Sequence, residues 1–355
     1  MEKLYLLIIL TGSIIASAAF IPISLKTNEY KIEYPSYFGN KVYIPSDNPT
    51  TEAGVKLGRY LFYETALSAN NKISCSSCHQ QKLAFTDGQK SSIGVDGSLQ
   101  SRNTMSLANL LWVSHFFWDG RSNSLEEQAK GPLTNIHEMG QAVSIAAHKL
   151  QSTKLYPPLF KTAFNTSTIS EEFIVKALSQ FERTLVSANS KYDQYLNGTY
   201  QPNVSELNGI QLFYSNNTTV TRGASCGRCH GGPKTYANLF HNNGLDSIYT
   251  DKGRSSITNQ AYDLGRFRVV TLRNIALTAP YMHDGRFKNL EEVIDHYDNH
   301  IKESETLSPI LRNNDYKKLT LHLSNTEKKD LLSFLNMLTD SSFINDKRFS
   351  SPFNK

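Results

Sequence analysis

Two short cysteine motifs are the part of this chain best suited to chemistry. The pattern C-x-x-C-H occurs twice, and its six residues are Cys75, Cys78, His79, Cys226, Cys229 and His230. These motifs contain all four cysteines of the chain, so none is left for a disulfide framework. Two thiols one helical turn apart can form thioethers with the two vinyl groups of a haem, and the adjacent histidine can ligate its iron. The sequence therefore predicts two covalently attached c-type haems.

Two other uses of paired cysteines are a redox dithiol and a four-cysteine zinc site. A thioredoxin-like pair does not need a histidine after it, and it would not occur in both halves of the chain. Zinc ribbons usually separate their cysteine pairs by about 15–20 residues, whereas Cys78 and Cys226 lie 148 positions apart. Both alternatives are therefore disfavoured against two haems.

The composition narrows the function classes further. The 355 residues are 39% hydrophobic and 11% aromatic, which is enough for two ordinary domains with packed cores. The net charge of +5 is spread along the chain without a basic block. Binding to nucleic acid is therefore not predicted.

The N-terminus predicts export. Lys3 precedes an apolar run over residues 4–15, and small residues follow at 16–19. This is the layout of a secretory signal peptide, residues 1–18, cut after Ala18. An uncleaved membrane anchor is the alternative, because the apolar character continues to Ile23, near the ~20 residues that a bilayer needs. Either way the folded part is expected in the periplasm, with membrane contact only if the segment is retained.

Helical periodicity dominates the rest of the chain. An apolar series from Phe173 to Leu185 has a 3.6-residue period and follows Ser170 as N-cap, and Thr326 opens a second such series. No comparable series of alternating strands appears, so the predicted fold class is mainly α with little β. Two polar stretches are predicted to be loops, 215–222 and 241–266.

An internal duplication is visible in the order of short motifs. The elements G-x-x-L-F-Y, R-N, D-G-R and L-E-E occur in the same order in both halves, at 58–63, 102–103, 119–121 and 125–127 and again at 209–214, 273–274, 284–286 and 290–292. Helix-capping pairs are predicted at matching places, Ser124 with Glu127 and Asn289 with Glu292. The sequence therefore predicts two tandem domains related by duplication, 31–188 and 189–345.

Long segments between about Gly54 and Leu338 also point to a family. They include LFYETALSANNKISCSSCH, SSIGVDGSLQSRN, FFWDGRSNSLEEQAKGPL, EMG and TLRNIALTAPYMHDGRFKNLEEVIDHY. These segments resemble the bacterial di-haem cytochrome c peroxidases and their MauG-like relatives. The resemblance implies two cytochrome c-like domains, with a peroxidatic haem in the first and an electron-transfer haem in the second.

The resemblance also implies roles for three further residues. Glu138 corresponds to the family's acid–base residue above the N-terminal haem, and Gln128 corresponds to its supporting amide. Trp118 matches the tryptophan between the two haems. Without the family, Glu138 would be a solvated loop carboxylate, Gln128 a surface helix residue and Trp118 a core residue.

One position departs from the peroxidase pattern near the first motif. Many of these enzymes have a histidine in the loop after Ser-Ile-Gly that caps the resting N-terminal haem. Here residues 92–94 are followed by Val95, which cannot ligate iron, and neither His115 nor His137 is at the motif position. The N-terminal haem is therefore expected to keep an open face.

A second departure concerns the axial ligand of the C-terminal haem. Peroxidases have a methionine in the helix after Leu-Glu-Glu, whereas this chain has Tyr297, as MauG-like proteins do. Tyrosinate is a hard anionic donor that favours ferric iron. Met282 and His296 are the competing candidates, and an open site is the remaining alternative.

The resemblance implies further sites between the two domains. Asn103, with the backbone carbonyls of Thr278 and Pro280, matches a family calcium site, and oxygen-only ligation suits Ca²⁺; otherwise Asn103 closes a turn. Three more residues are expected to contact haem propionates or the domain interface, or to be structural: His283, Arg121 and Arg286.

These expectations combine into one main function and two alternatives. The main one is an exported di-haem enzyme that reduces hydrogen peroxide with electrons from a small cytochrome c or a blue-copper protein (a cupredoxin). The first alternative is a MauG-like oxidase that uses peroxide to modify residues of a partner protein. The second is a non-enzymatic di-haem electron carrier. The oligomeric state is left open, a homodimer included.

Overall fold

The computed structural model describes residues 28–218, 221–237, 239–313 and 315–353. The predicted signal peptide, and the alternative anchor, lie outside these residues. Within the described ranges, no helix has the length and apolar character that crossing a bilayer requires.

Helices form most of the regular structure. The α-helices are α1 (Glu52–Phe62), α2 (Cys75–Cys78), α3 (Leu125–Thr134), α4 (Val143–Gln151), α5 (Tyr156–Phe164), α6 (Glu171–Arg183), α7 (Lys191–Leu196), α8 (Val204–Tyr214), α9 (Ser255–Thr258), α10 (Leu290–Asp295), α11 (Asn325–Met337) and α12 (Ser341–Asn345). A π-helical segment, His296–His300, continues α10. Short 3₁₀ turns connect these helices at Ser36–Phe38, Thr65–Leu67, Gln81–Leu83, Leu110–Trp112, Cys226–Arg228, Ala261–Asp263, Ile275–Leu277 and Pro309–Leu311.

The sheet content of the described residues is one short ribbon. Strand β1 (Phe240–His241) pairs antiparallel with β2 (Phe267–Arg268), and His241 lies opposite Phe267. The predicted loop 241–266 therefore contains one strand residue, the single turn of α9 and the 3₁₀ turn Ala261–Asp263, and is otherwise without helix or strand. The prediction of a mainly α fold with little β is confirmed.

Side-chain caps set the helix boundaries. Ser170 Oγ accepts a hydrogen bond from the backbone N–H of Phe173, so α6 begins where the sequence predicted. The start predicted at Thr326 was wrong by one residue. Helix α11 begins at Asn325 because Ser324 and Glu327 form a reciprocal capping box.

The two predicted capping pairs at matching places are confirmed. Ser124 Oγ accepts from the Glu127 N–H at the start of α3, at 3.1 Å. Asn289 Oδ1 accepts from the Glu292 N–H at the start of α10, at 2.8 Å. The same motif thus begins a helix on the C-terminal side of each cysteine cluster.

Each half of the chain is held by a close helix crossing. Gly58 in α1 packs against the Ala177 carbonyl of α6, and a Cβ at this position would overlap that oxygen. Gly209 in α8 packs in the same way against the Asp330 carbonyl of α11. Glycine is required at both positions because the helix backbones touch.

Two large hydrophobic clusters lie within these halves. The first contains residues between 55 and 185, and the second contains residues between 192 and 338. The segment after α11 returns to the first cluster, which includes Phe343 and Phe349. The predicted domain limits, 31–188 and 189–345, stay a prediction, and the structure adds that the C-terminal tail packs on the N-terminal core.

Candidate functional site

The first cysteine cluster presents a histidine with a defined tautomer. Cys75 and Cys78 are the first and last residues of α2, so their thiols are one turn apart. His79 Nδ1 lies 2.8 Å from the Phe85 carbonyl oxygen, which can only accept, so Nδ1 carries the proton. Burial lowers the pKa of His79. The imidazole is therefore neutral and its Nε2 is left as an electron-pair donor.

The second cluster repeats this arrangement on a 3₁₀ turn, Cys226–Arg228. His230 Nδ1 lies 3.1 Å from the Val270 carbonyl and 3.3 Å from the Thr235 carbonyl. Burial lowers the pKa of His230 to about 4, so this imidazole is also neutral with Nε2 free.

The environment of the thiols argues against the two alternatives to haem. All four cysteines are free, and burial raises the pKa of Cys226 to about 12 and that of Cys229 to about 11. A redox dithiol needs a lowered pKa because the thiolate is the reactive form. Across the residues that the structure describes, no group of three or more His, Cys, Asp or Glu side chains could hold a metal ion, which disfavours a zinc cage.

A cavity opens beside each cluster. The N-terminal cavity, as we name it, is lined by the first motif and by apolar side chains that include Leu107, Leu133 and Leu178. The C-terminal cavity is larger and is lined by the second motif together with Ile294, Leu331 and Leu335. Apolar walls around two thiols and a neutral histidine fit the flat apolar body of a haem, so both sites suit covalent c-type haem.

The structure brings Glu138 and Gln128 together in the N-terminal cavity. Glu138 lies in the turn after α3, where its Oε1 accepts from Asn135 Nδ2 at 2.8 Å. Burial raises the pKa of the Glu138 carboxyl. Gln128, on α3, has a buried Oε1 without a hydrogen-bond partner. Such an atom is costly unless a ligand satisfies it, so it indicates a polar guest in this cavity.

No second histidine faces this cavity among the described residues, because His79 is the only histidine in its lining. Val95 is hydrogen-bonded to the turn that carries Glu138, because its backbone N–H donates to the Glu138 carbonyl at 2.8 Å. His137 is exposed and pairs with Asp96, and His115 contacts Phe240. The open face of the N-terminal haem stays a prediction.

Glu182 is a buried acid of the N-terminal cavity that sequence reasoning missed. It lies on α6 and is 5% exposed, and its Oε2 has no hydrogen-bond partner. Burial raises its pKa to about 8. The only signal in the sequence was its position on the apolar side of a predicted helix, four residues after Leu178.

We expect Glu182→Gln to remove a pH-dependent loss of stability. Folding raises the pKa of this carboxyl from its ordinary value of ~4.3 to about 8, so the folded protein binds this proton more tightly than the unfolded chain does. The stability that the proton contributes is complete below the ordinary pKa and is lost as the pH rises towards about 8. The free energy of unfolding of the unmodified protein should therefore fall by up to about 1.4 kcal/mol per pH unit in this window. Guanidinium unfolding at several pH values measures it. If the free energy of unfolding of Glu182→Gln falls with pH as steeply as that of the unmodified protein, the assignment is wrong. Glu171→Gln, on the helix surface, is the control.

Trp118 lies between the two halves. It lines the C-terminal cavity, its indole N–H donates to the Asn103 carbonyl at 2.8 Å, and its ring contacts His283 edge-on with centroids 6.5 Å apart. The backbone carbonyl of Asn103 therefore fixes the plane of the indole at the junction of the two halves.

Tyr297 and Met282 both line the C-terminal cavity. Asn243 Nδ2 reaches both, at 3.4 Å from the Tyr297 hydroxyl and 3.4 Å from Met282 Sδ. His296 is turned away, since its Nε2 lies 3.0 Å from the Asn243 carbonyl and it is absent from the lining. Burial raises the pKa of Tyr297 to about 12, which keeps the phenol protonated without a cation beside it.

The three residues of the predicted calcium site, Asn103, Thr278 and Pro280, all line the C-terminal cavity. The Asn103 amide group donates to the Gln89 carbonyl at 2.8 Å, and its backbone N–H donates to the His283 carbonyl at 2.7 Å. Asn103 therefore joins the two halves, and calcium binding stays a prediction.

Known proteins match this chain in sequence. The model of the di-haem cytochrome c peroxidase family, CCP_MauG, matches residues 52–201. The methylamine utilization protein MauG of Methylophilus methylotrophus is 33% identical over 295 residues, which cover 83% of this chain and 84% of that protein. The cytochrome c551 peroxidase of Nitrosomonas europaea is 33% identical over 301 residues, 83% of each chain.

Solved structures match it in fold. A MauG-like protein associated with microbial copper homeostasis superposes with a TM-score of 0.82 at 35% identity, covering 91% of this chain and 99% of that one. The diheme peroxidase BthA of Burkholderia thailandensis E264 superposes with a TM-score of 0.70, covering 86% and 91%. At 19% identity, the second match is a likeness of fold alone.

Proposed function

Since this chain belongs to the family of di-haem cytochrome c peroxidases and MauG proteins, we propose that it reduces hydrogen peroxide in the N-terminal cavity. The observation that carries this proposal is that Glu138 and Gln128 line the same cavity as the first C-x-x-C-H motif, with no second histidine in that lining. This combination supplies a proton carrier and a hydrogen-bond acceptor next to a site with room for a substrate.

The six motif residues would hold two haems, with Cys75, Cys78 and His79 on one and Cys226, Cys229 and His230 on the other. When bound, the haems supply redox-active iron, and the N-terminal one supplies the position at which peroxide accepts two electrons. His79 and His230 keep their Nε2 atoms available because their Nδ1 protons are held by backbone carbonyls.

Glu138 moves the proton that peroxide cleavage requires. Its carboxylate accepts the proton of one peroxide oxygen and donates it to the other, which leaves as water; with two electrons and two protons, each peroxide yields two waters. Burial raises its pKa towards the working pH, which favours both steps. Gln128 Oε1 accepts a hydrogen bond from the remaining peroxide O–H and so orients the substrate.

Electrons reach this cavity from the second site by way of Trp118. The indole lies at the junction of the halves, where its N–H donates to the Asn103 carbonyl of the first half and its ring contacts His283 of the second. We propose that a small exported cytochrome c or cupredoxin delivers the electrons, and that the protein works in the periplasm after signal-peptide cleavage. Calcium at Asn103, Thr278 and Pro280 would brace the same junction.

We also propose that the two halves are tandem cytochrome c-like domains related by duplication. Asn109 and Asn274 each lie ten residues before a D-G-R segment, and both have a left-handed backbone, with φ of 62° and 63°. This spacing makes Asn109, rather than the Asn103 of the R-N element, the counterpart of Asn274. Phe117 and Met282, which are equivalent in the two D-G-R segments, have φ of 65° and 76°. Left-handed residues other than glycine are uncommon, so their recurrence at matching places supports a common origin.

Peroxide consumption tests the proposed function. The full-length holoprotein, supplied with reduced cytochrome c, should oxidise two equivalents of the cytochrome for each hydrogen peroxide. Steady-state assays of both compounds measure this ratio. Haem spectra that do not respond to peroxide would overturn the proposal in favour of a non-enzymatic electron carrier.

A MauG-like oxidase is the second candidate, and Tyr297 in the C-terminal cavity favours it. In that case, peroxide would be consumed slowly with reduced cytochrome c and oxidising equivalents would be used on residues of a partner protein. Slow turnover with every small redox donor, together with a full spectral response to peroxide, would favour this activity.

A further inference from the structure

A buried arginine in the C-terminal cavity lacks the partner that its charge requires. Arg268 is 7% exposed and lines the cavity. Its Nε donates to the Phe117 carbonyl at 3.3 Å, and its Nη2 lies 3.8 Å from Met105 Sδ. No carboxylate in the described part of the chain forms an ion pair with it. Burying a guanidinium without an anion costs free energy, so we expect Arg268 to pair with the anion of a bound ligand.

The other cations near the cavity are already paired. Arg273, which also lines it, forms an ion pair with Asp193. Arg286 pairs with Asp246 and Asp284, each at 2.7 Å. Arg268 is therefore the cation in this lining that is still available to a ligand.

The two arginines and the histidine that the sequence suggested for haem propionates have other partners. Arg121 pairs with Asp119 at 3.0 Å, and Arg286 is paired as described. His283 stacks on Phe267 with centroids 3.7 Å apart. A propionate contact of these three residues stays a prediction, and the contacts of His283 with Asn103 and Trp118 fit the alternative of a domain-interface role.

The neighbouring strand adds a second unsatisfied polar atom. His241, on β1, also lines the C-terminal cavity. Its Nδ1 lies 2.8 Å from Ser308 Oγ, while its Nε2 is buried and has no hydrogen-bond partner. Arg268 lacks an anionic partner and His241 Nε2 lacks a hydrogen-bond partner, so each can donate to a carboxylate oxygen in this cavity.

We propose that Arg268 and His241 bind the carboxylate groups of the C-terminal haem, and that the β1–β2 ribbon is its propionate-binding element. A haem carries two carboxylates on one edge, and an arginine can hold a carboxylate with two parallel hydrogen bonds. This inference depends only on a haem being bound in the C-terminal cavity, so it applies whether the protein is a peroxidase or a MauG-like oxidase.

The same arginine is also joined to the segment that carries Trp118. The Arg268 backbone N–H donates to the Trp118 carbonyl at 2.8 Å, and its side chain donates to the preceding carbonyl. Binding of the haem carboxylate by Arg268 therefore positions Trp118 relative to the second haem.

Arg268→Gln in the full-length holoprotein tests the inference. Resonance Raman bands of propionate bending report hydrogen bonding to the haem carboxylates, and spectroelectrochemistry gives the midpoint potential of each haem. We expect the bending bands to shift and the C-terminal midpoint potential to fall, because a lost positive charge disfavours the reduced haem. Arg268→Lys should keep the midpoint potential of the C-terminal haem close to that of the unmodified protein, whereas its propionate bending frequency should shift. His241→Phe should shift a bending band with a smaller change in potential.

Arg286→Gln is the matched control, because it removes the same charge from a residue that is already paired with two carboxylates. Unchanged bending bands and potentials in Arg268→Gln would overturn the proposal, as would an equal response in the control. If Arg268→Gln does not incorporate haem, the charge-conserving Arg268→Lys decides, since unaltered bending bands in that variant would exclude a bidentate contact.

Discussion

Glu138→Gln is expected to lower the turnover of hydrogen peroxide by about 10²–10⁴-fold, the usual contribution of a positioned acid–base group. The substitution keeps the shape of the side chain and its contact with Asn135, but the amide cannot accept and return a proton. Haem content and the spectra of both haems in the resting state should stay as in the unmodified protein. Stopped-flow mixing with peroxide, followed by steady-state assay with reduced cytochrome c, measures the effect.

The matched control is Glu182→Gln, because Glu182 is a second buried carboxyl in the lining of the same cavity. We expect peroxide turnover in that variant to stay within a few-fold of the unmodified protein. If Glu182→Gln loses activity while Glu138→Gln retains it, the acid–base role belongs to Glu182, and the proton transfer proposed above is wrong.

Tyr297→Met is expected to raise the midpoint potential of the C-terminal haem by about 0.2 V or more, since axial ligands set haem potentials over a range of about 0.8 V. Thioether sulfur stabilises ferrous haem, whereas tyrosinate is a hard anion that favours ferric haem. The low-spin EPR signal should change at the same time. Spectroelectrochemistry and EPR of the two proteins provide the measurement.

Met282→Leu separates the two candidate ligands that Asn243 contacts. If Tyr297 is the ligand, this variant should keep the low-spin signal and the potential of the unmodified protein. A low-spin signal that survives in Tyr297→Met and disappears in Met282→Leu would identify Met282 as the ligand and would restore the usual peroxidase arrangement.

The fold could be predicted largely from local patterns. The caps of α6, α3 and α10 were found correctly because a capping side chain and the backbone N–H that donates to it lie within one turn of each other. The start of α11 was missed by one residue because Ser324 and Thr326 are both good capping residues, and only the position of Glu327 chooses between them. The return of Phe343 and Phe349 to the first core was not predictable, because packing between distant segments leaves no local pattern.

The candidate site could be predicted in part. Glu138 and Gln128 were found through family motifs and lie in one cavity. Glu182, Asn243 and Arg268 were not found. Each is a polar residue whose role depends on burial beside a cavity, and single polar residues in a helix, a loop or a short strand have no distinctive spacing.

The amino-acid sequence by itself determined that this protein carries two c-type haem sites. Two thiols and a histidine within five consecutive residues are enough for attachment, so a local pattern contains the whole chemical requirement. Only the tertiary structure decided which groups face each haem site. Tyr297 lines the C-terminal cavity and His296 does not. Neighbouring residues of a helix point in different directions, and only the packing of that helix decides which of them faces the cavity. Arg268 lacks a carboxylate because the acids of the second half pair with other arginines, a property of the whole packed chain rather than of any segment.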